Sequence, residues 1–144
     1  MGHEADYEVH PIGYVRSSLT RREDAPRQGS AGAPAAWIEV DETFGDGLLG
    51  IEPGTEVVVL SWLHLADREV LRVRPHHDAE RKLKGVFATR SPARPNPIGL
   101  HPVRVLEVDG CRLHVEPLEA VDGTPVLDIK VARRPDGDCP AASE

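Results

Sequence analysis

Residues 85–100 read GVFATRSPARPNPIGL, and the fold of the 144-residue chain is best predicted from this stretch outward. Val86–Thr89 predicts a short strand, because β-branched and aromatic residues are enriched on pleated surfaces. Pro92, Pro95 and Pro97 then fix three φ angles and restrict each preceding residue to an extended conformation. The sequence therefore predicts a strand that leads into a loop with little conformational freedom.

Three polar side chains, those of Arg90, Arg94 and Asn96, lie in this loop or beside it. A loop that is already stiff in the free protein loses little entropy when it binds a ligand. Binding residues are common on loops that a rigid scaffold positions. The pattern fits a preorganised polar cluster, and it also fits a stiff connection whose arginines are simply solvated.

Strand patterns separated by turn signals run through most of the chain. Alternating or continuous apolar runs predict strands at Tyr7–Ser17, Trp37–Val40, Glu56–Leu65, Glu69–Arg74, His101–Val108, Arg112–Leu118 and Val126–Val131. We expect Val9, Ile12 and Val15 in the core, and part of Glu56–Leu65 buried on both faces. Asp109-Gly110 is a turn signal typical of a two-residue hairpin. Short strands at this spacing predict an all-β barrel or sandwich.

Gly45–Gly50 spells G-x-G-x-x-G, a motif that marks dinucleotide sites in other proteins. Such a site needs a crossover helix inside a βαβ unit. Here Pro53-Gly54 ends any helix early, and further strands follow directly. We therefore expect no dinucleotide site, but a short helix that packs Leu48, Leu49 and Ile51 over one end of the sheet.

The 85–100 stretch resembles the hallmark of the TsaA-like family, also called TrmO or YaeB, which is close to G-V-F-A-T-R-S-P-x-R-P-N-P-I-G-L. A second family motif, D-G-T-P-V-x-D-I-K, occurs at residues 122–130. Looser matches are P-I-G at 11–13 followed by P-R-Q at 26–28, and W-L-H at 62–64. These motifs follow in the family's order and cover most of residues 7–130.

The resemblance implies a small β-barrel that forms a homodimer and uses S-adenosyl-L-methionine (SAM) as its cofactor. It also implies tRNA as the substrate, with methylation at N6 of threonylcarbamoyl-adenosine next to the anticodon. The sequence departs from the family at Val131-Ala132, where D-I-K is commonly followed by P-Y. A non-catalytic barrel that binds SAM or RNA, or a relative that methylates a small molecule, therefore stays open as an alternative.

Site residues are carried over from the family motif by motif. The cofactor positions are Gly29, Ser30, Ala31, His64, Leu65, Arg90, Leu100, Glu116, Pro117, Leu118 and Glu119. The positions for tRNA phosphate or the threonyl carboxylate are Arg27, Gln28, Arg94, Asn96 and Lys130. His64 and Asp128 are the candidates for a catalytic base, although a histidine on an apolar strand is often a core residue and Asp128 and Lys130 could form a structural ion pair.

Arg90 has a chemical argument of its own. A guanidinium presents a planar fork of donors that matches the methionine carboxylate of SAM, and lysine would not replace it equally. Backbone groups near Leu65, Leu100 and Pro117-Leu118 could bond and enclose the adenine. A sulfonium donor is already activated, so the reaction needs alignment and exclusion of water rather than a metal or an enzyme nucleophile.

No metal or covalent chemistry is predicted. His76-His77-Asp78 is the densest cluster of possible metal ligands, but neighbours on an extended chain point to opposite faces. Spacings typical of zinc sites are missing from the sequence. Ser91 has no base at a recognisable spacing, and no G-x-S-x-G motif occurs.

Composition sets the remaining expectations. The net charge is −7, but Arg68–Arg94 holds eight Arg or Lys against three acidic residues, so this stretch carries +5 and the rest −12. A cationic stripe of this kind can bind phosphates, although charge runs are usually only solvated. No apolar run approaches the ~20 residues of a membrane span, and two cysteines without a framework favour a reducing cytoplasm. We expect a flexible N-terminus at 1–6, a barrel domain at 7–131 and a disordered tail at 132–144.

Overall fold

The structure is a computed structural model, and it describes residues 6–26, 32–74 and 82–132. Eight strands lie in these ranges. They are β1 (Gly13–Arg16), β2 (Ala36–Val40), β3 (Glu56–Trp62), β4 (Arg72–Val73), β5 (Lys84–Gly85), β6 (Ile98–Asp109), β7 (Arg112–Glu116) and β8 (Pro125–Val131). Three short 3₁₀ helices connect them, at Arg22–Asp24, Glu42–Leu48 and Val86–Ala88.

Six of the strands close an antiparallel barrel in the order β1-β2-β7-β6-β3-β8, which confirms the predicted all-β barrel. The two short strands β4 and β5 pair with each other as a separate ribbon. Closure leaves no unpaired sheet edge in the barrel itself. No helix among the described residues is long and apolar enough to span a membrane.

The barrel interior is filled by alternate residues of each strand. In β3, Val57, Val59 and Ser61 point inward and are buried, whereas their neighbours on the outer face are partly exposed. The expectation that part of Glu56–Leu65 is buried on both faces is therefore wrong. Valine, isoleucine and leucine from all six strands complete the core, with Leu118 and Ala120 at one end.

Four predicted strands are shorter than expected, because only part of each run finds a partner strand. β3 ends at Trp62 and β7 at Glu116, and β1 and β4 lose more. β1 begins at Gly13, so Val9 is 60% exposed and lies outside the core that Ile12 and Val15 join. β4 keeps only Arg72–Val73 of the predicted Glu69–Arg74. Alternation sets which residues can form a strand, but pairing decides where it begins.

Val86–Thr89 was expected to be a strand and is instead a 3₁₀ helix over Val86–Ala88. The Val86 N–H donates to Leu71 O at 2.9 Å, and the Val86 side chain is buried. Thr89 then donates to Val86 O from its own N–H and from its hydroxyl, which closes the turn. The two bonds from Thr89 are local and close the helix, whereas the bond to Leu71 fixes its first residue from a distant part of the sequence.

The G-x-G-x-x-G region lies largely in the 3₁₀ helix Glu42–Leu48 and joins antiparallel strands, so it opens no βαβ crossover. Asp41 caps this helix by accepting a 2.8 Å bond from the Thr43 N–H, and this bond lowers the pKa of the Asp41 carboxyl. Leu48 and Ile51 pack against the core as expected. Leu49 does not, since it is 94% exposed.

The β6–β7 hairpin turns at Asp109-Gly110 as predicted, with Gly110 at φ +63°. This hairpin and the helix Glu42–Leu48 lie at one end of the barrel. The opposite end is where β3 ends at Trp62 and β6 begins at Ile98, and we call it the loop end. The proline-rich loop enters the barrel there.

Candidate functional site at the loop end of the barrel

The loop from Thr89 to Pro97 is ordered by its own short side chains. The Ser91 N–H donates to Thr89 Oγ1 at 3.1 Å, and the Ala93 N–H donates to Ser91 Oγ at 3.2 Å. Pro97 is buried and accepts a 2.7 Å bond from the Leu63 N–H. The loop is therefore preorganised, as the three prolines predicted.

Arg94 is part of the loop's internal support. Its Nη1 donates to Thr89 O at 3.2 Å and to Ser91 O at 2.9 Å, and its guanidinium lies 6.0 Å from the Phe87 ring centre. These two hydrogen bonds therefore stabilise the loop and are not available to a ligand. Its predicted role toward phosphate remains a prediction, with fewer free donors than the sequence suggested.

Arg68 joins the loop to the W-L-H turn, and sequence reasoning missed it. Its Nε donates to Pro95 O at 2.7 Å, and its Nη2 donates to Asn96 Oδ1 at 3.3 Å. The guanidinium also lies 5.0 Å from the Trp62 ring centre. The only sequence signal for this role was its place at the start of the basic stretch.

Arg90 differs from both. Its side chain is exposed, and among the described residues no hydrogen bond or ion pair engages its guanidinium. An uncompensated guanidinium on an ordered loop is suited to an anionic ligand. The carboxylate-binding role of Arg90 stays a prediction.

His64 and Leu65 lie just beyond β3, in a turn. The Ala66 N–H closes this turn by donating to Leu63 O at 2.9 Å. His64 was expected on an apolar strand, and that expectation is wrong because β3 ends at Trp62. Its side chain is exposed, so the reading of a buried core histidine is also wrong. Leu65 is 49% exposed beside it.

Leu100, Asp128 and Lys130 lie on the outer face of the barrel. Leu60 of β3 pairs with Leu100 on one side and with Asp128 on the other, and Lys130 lies opposite the neighbouring Val58. Asp128 Oδ1 accepts from the Ile129 N–H at 2.8 Å. Within the described ranges neither Asp128 nor Lys130 forms an ion pair, which argues against a structural Asp–Lys pair.

The segment Glu116–Glu119 also reaches the loop end, but its residues differ in access. Glu116 is exposed, whereas the Leu118 side chain is completely buried in the core. The Leu118 N–H donates to Pro34 O at 3.0 Å, so both its side chain and its amide are already used. The Leu118 side chain therefore supports the fold and does not reach a ligand.

Five further predicted site residues, Arg27, Gln28, Gly29, Ser30 and Ala31, lie outside the described residues.

The first residues of the D-G-T-P-V-x-D-I-K motif have a structural role. Asp122 Oδ1 accepts from the Ser17 N–H at 3.0 Å, and the Asp122 N–H donates to Leu19 O at 2.7 Å. Thr124 is buried and its hydroxyl donates to Val121 O at 2.7 Å. These bonds fasten the end of β1 to the turn before β8.

A buried polar network that the sequence did not reveal lies directly under the loop end. The His101 ring is bonded on both sides, through Nε2 to Ser61 Oγ at 2.7 Å and through Nδ1 to Glu119 Oε2 at 2.7 Å. Ser61 is 0% exposed, His101 3% and the Glu119 side chain 15%. The signal was present in the alternation of β3 and β6, which points Ser61 and His101 inward.

Two other kinds of site bear on function, a metal site and a cavity away from the loop end. Among the residues that the structure describes, no three His, Cys, Asp or Glu side chains are grouped so that they could hold a metal ion, and His76-His77-Asp78 lies outside them. A shallow cavity of about 720 Å³ lies at the hairpin end, with Glu39, Asp109 and Arg112 in its lining. None of the predicted site residues within the described ranges lines it.

The fold and the loop end together define a small closed antiparallel barrel with a preorganised, arginine-bearing loop over a buried polar network. The chain belongs to the family of the tRNA-methyltransferase O N-terminal domain, whose model matches residues 14–134. The family predicted from the loop motif is therefore correct.

Two archaeal relatives match nearly the whole chain. A probable S-adenosyl-L-methionine-binding protein of Methanothermobacter thermautotrophicus is 46% identical over 127 residues, which cover 88% of this chain and 90% of the relative. An S-adenosyl-L-methionine-binding protein of Archaeoglobus fulgidus is 46% identical over 131 residues, covering 91% and 92%.

Among solved structures, the crystal structure of TrmO from Pseudomonas aeruginosa superposes with a TM-score of 0.74 at 33% sequence identity. The match covers 99% of this chain and 62% of that one. This chain thus spans less than two thirds of the length of the solved TrmO chain.

Proposed function

We propose that this chain is a cytoplasmic, SAM-dependent methyltransferase that methylates N6 of threonylcarbamoyl-adenosine next to the tRNA anticodon. The observation that carries the proposal is the exposed, unengaged Arg90 on an ordered loop with the family's hallmark sequence. The names of the two archaeal relatives support the cofactor. The family's description supports tRNA as the substrate.

The residues at the loop end fit SAM. The Arg90 guanidinium would bind the methionine carboxylate, and the partly exposed Leu65 and Leu100 offer apolar surface to the adenine. When bound, SAM supplies an activated methyl group. The protein's contribution would be alignment and exclusion of water, and fixing two reactants in place can lower a barrier by on the order of 7–11 kcal/mol.

The basic side chains near the loop end support RNA as the acceptor. Arg72, Lys84 and Arg90 are all exposed. Their charges would bind phosphates while the acidic remainder of the chain discourages other contacts. His64 and Asp128, both exposed, are the proposed candidates for the base that accepts the N6 proton.

The test is transfer of a labelled methyl group from SAM to tRNA isolated from cells that lack this methylation. We expect label in the modified nucleoside after digestion, and none with tRNA that lacks the threonylcarbamoyl group. Calorimetric titration with SAM should show binding in the same preparation. Label that appears only in a small-molecule fraction would contradict tRNA as the acceptor.

A second candidate is a SAM-binding barrel without tRNA activity, or one that methylates a small molecule. Two observations favour it: Val131-Ala132 replaces the family's usual P-Y, and the two archaeal relatives are named for SAM binding and not for tRNA methylation. Saturable SAM binding without turnover on any tRNA pool would favour this candidate over the first.

We propose further that the chain forms a homodimer through the outer face of β3 and β6. This face presents Leu60, Trp62, Ile98 and Leu100 side by side, with Ile98 47% exposed and Leu100 42% exposed. Leu100 would then lie at the edge of the interface, where the SAM site and the partner subunit meet. A run of apolar side chains on an outer sheet face is typical of an interface rather than of solvated surface.

Ile98→Asp should convert the dimer to a monomer, because an unpaired carboxylate would be desolvated in the interface. Sedimentation velocity at micromolar concentration measures the change. Leu49→Asp is the matched control, because Leu49 is apolar and 94% exposed but lies at the opposite end of the barrel. A wild-type protein that sediments as a monomer would refute the proposed dimer.

A further inference from the structure

The hydrogen bonds around His101 define a directed chain. A carboxylate accepts hydrogen bonds, and the ring tautomer that fits this partner is the one in which Nδ1–H donates to Glu119 Oε2. In the neutral ring Nε2 then accepts from the Ser61 hydroxyl. Because both bonds are 2.7 Å and the ring is 3% exposed, His101 is fixed in one orientation.

This order of groups, serine to histidine to carboxylate, is also that of a hydrolase triad. A nucleophile must be reachable by its substrate, however, and Ser61 is completely buried. The strand β6 also covers it, since a Cβ built on Gly99 would lie 2.5 Å from Ser61 Oγ. Ser61 therefore serves as an anchor for the ring and not as a nucleophile.

Glu119, at the other end of these hydrogen bonds, differs from Ser61 because 15% of its side chain is exposed. Glu119 follows β7 at the loop end and lies in the segment predicted to contact the cofactor. A carboxylate held at one oxygen keeps acceptor capacity for a ligand's hydroxyl or amine donors. SAM carries donors of both kinds.

We infer that His101 is a positioning residue for the SAM site: anchored by Ser61, it holds the Glu119 carboxylate where that group accepts a hydrogen bond from the bound cofactor. This inference rests on the proposed function. It adds a buried support that links the inside of the barrel to its loop end, and it gives the inward-facing polar pair Ser61 and His101 a purpose that packing alone does not explain.

Two substitutions at His101 separate positioning from general stability. The amide of asparagine reaches the place of Nδ1 and keeps a donor to Glu119, whereas the amide of glutamine reaches the place of Nε2 and keeps a partner for Ser61. Each loses one of two buried hydrogen bonds, so we expect similar falls in Tm. The dissociation constant of SAM, measured by calorimetry, should rise about tenfold for His101→Gln but stay within about threefold for His101→Asn.

Glu119→Gln completes the experiment. It should weaken SAM binding about tenfold, and the double variant with His101→Gln should bind no more weakly than either single variant, because both changes break the same link. Equal SAM affinities for His101→Asn and His101→Gln would overturn the inference. So would additive losses of SAM affinity in the double variant. Neither result would contradict SAM binding by the wild-type protein. Wild-type protein that fails to bind SAM would instead refute the proposed function, and the inference with it.

Discussion

Replacing Arg90 with alanine should weaken SAM binding about 100-fold while leaving Tm unchanged. The loss is large because a forked guanidinium–carboxylate pair contributes two charge-assisted hydrogen bonds. Stability should be unaffected because the Arg90 side chain is exposed and bonds to nothing in the described part of the chain. Calorimetric titration with SAM measures the first quantity, and a thermal melt measures the second.

Two further arginine variants make the Arg90 result specific. Arg90→Lys should bind SAM with intermediate affinity, because lysine keeps the charge but not the fork. Arg104→Ala is the control, since Arg104 is 61% exposed on the outer face of β6 and only 3.8 Å from Glu56 in a loose ion pair. If Arg90→Ala binds SAM as tightly as the control does, Arg90 does not belong to the site.

The barrel could be predicted because its determinants are local. Alternation in β3 and β6 and the Asp109-Gly110 turn are readable within a few residues. The helix at Val86–Ala88 could not be predicted in the same way, because the N–H of Val86 bonds to Leu71, which lies 15 residues earlier in the sequence. Residue preferences for strand do not include such a partner.

In the candidate site too, features set by single residues could be predicted, and features set by distant contacts could not. Arg90 and the proline-stiffened loop were predictable, because proline geometry and guanidinium chemistry belong to the residues themselves. The brace formed by Arg68 was not, since its contacts lie 27 and 28 residues away. The bonds of His101 to Ser61 and Glu119 span 40 and 18 residues, and the pairing of β6 with β3 on one side and with β7 on the other brings these three groups together.

Gly13, in the P-I-G motif, shows how a family motif can follow from packing rather than chemistry. It begins β1 and pairs with Val40 of β2 on one side and with Val126 of β8 on the other. A Cβ at this position would lie 2.2 Å from Glu39 O and 2.9 Å from the Val40 Cα. These are backbone atoms of a hydrogen-bonded strand, so no side-chain rotation can relieve the contact.

Gly13→Ala should therefore destabilise the barrel by about 3 kcal/mol or more, because β1 and β2 would have to separate where the barrel closes. For a chain of this size the expected fall in Tm is about 10 °C, measured by circular dichroism or calorimetry. Gly47→Ala is the matched control, because no heavy atom lies within 4 Å of the added Cβ and its φ is not positive. Gly47 also belongs to the G-x-G-x-x-G string, so an unchanged Tm and unchanged SAM affinity there would agree with a connecting role for that string. A Gly13→Ala protein as stable as the Gly47→Ala control would mean that the barrel is far more deformable at β1 than its close backbone contacts imply.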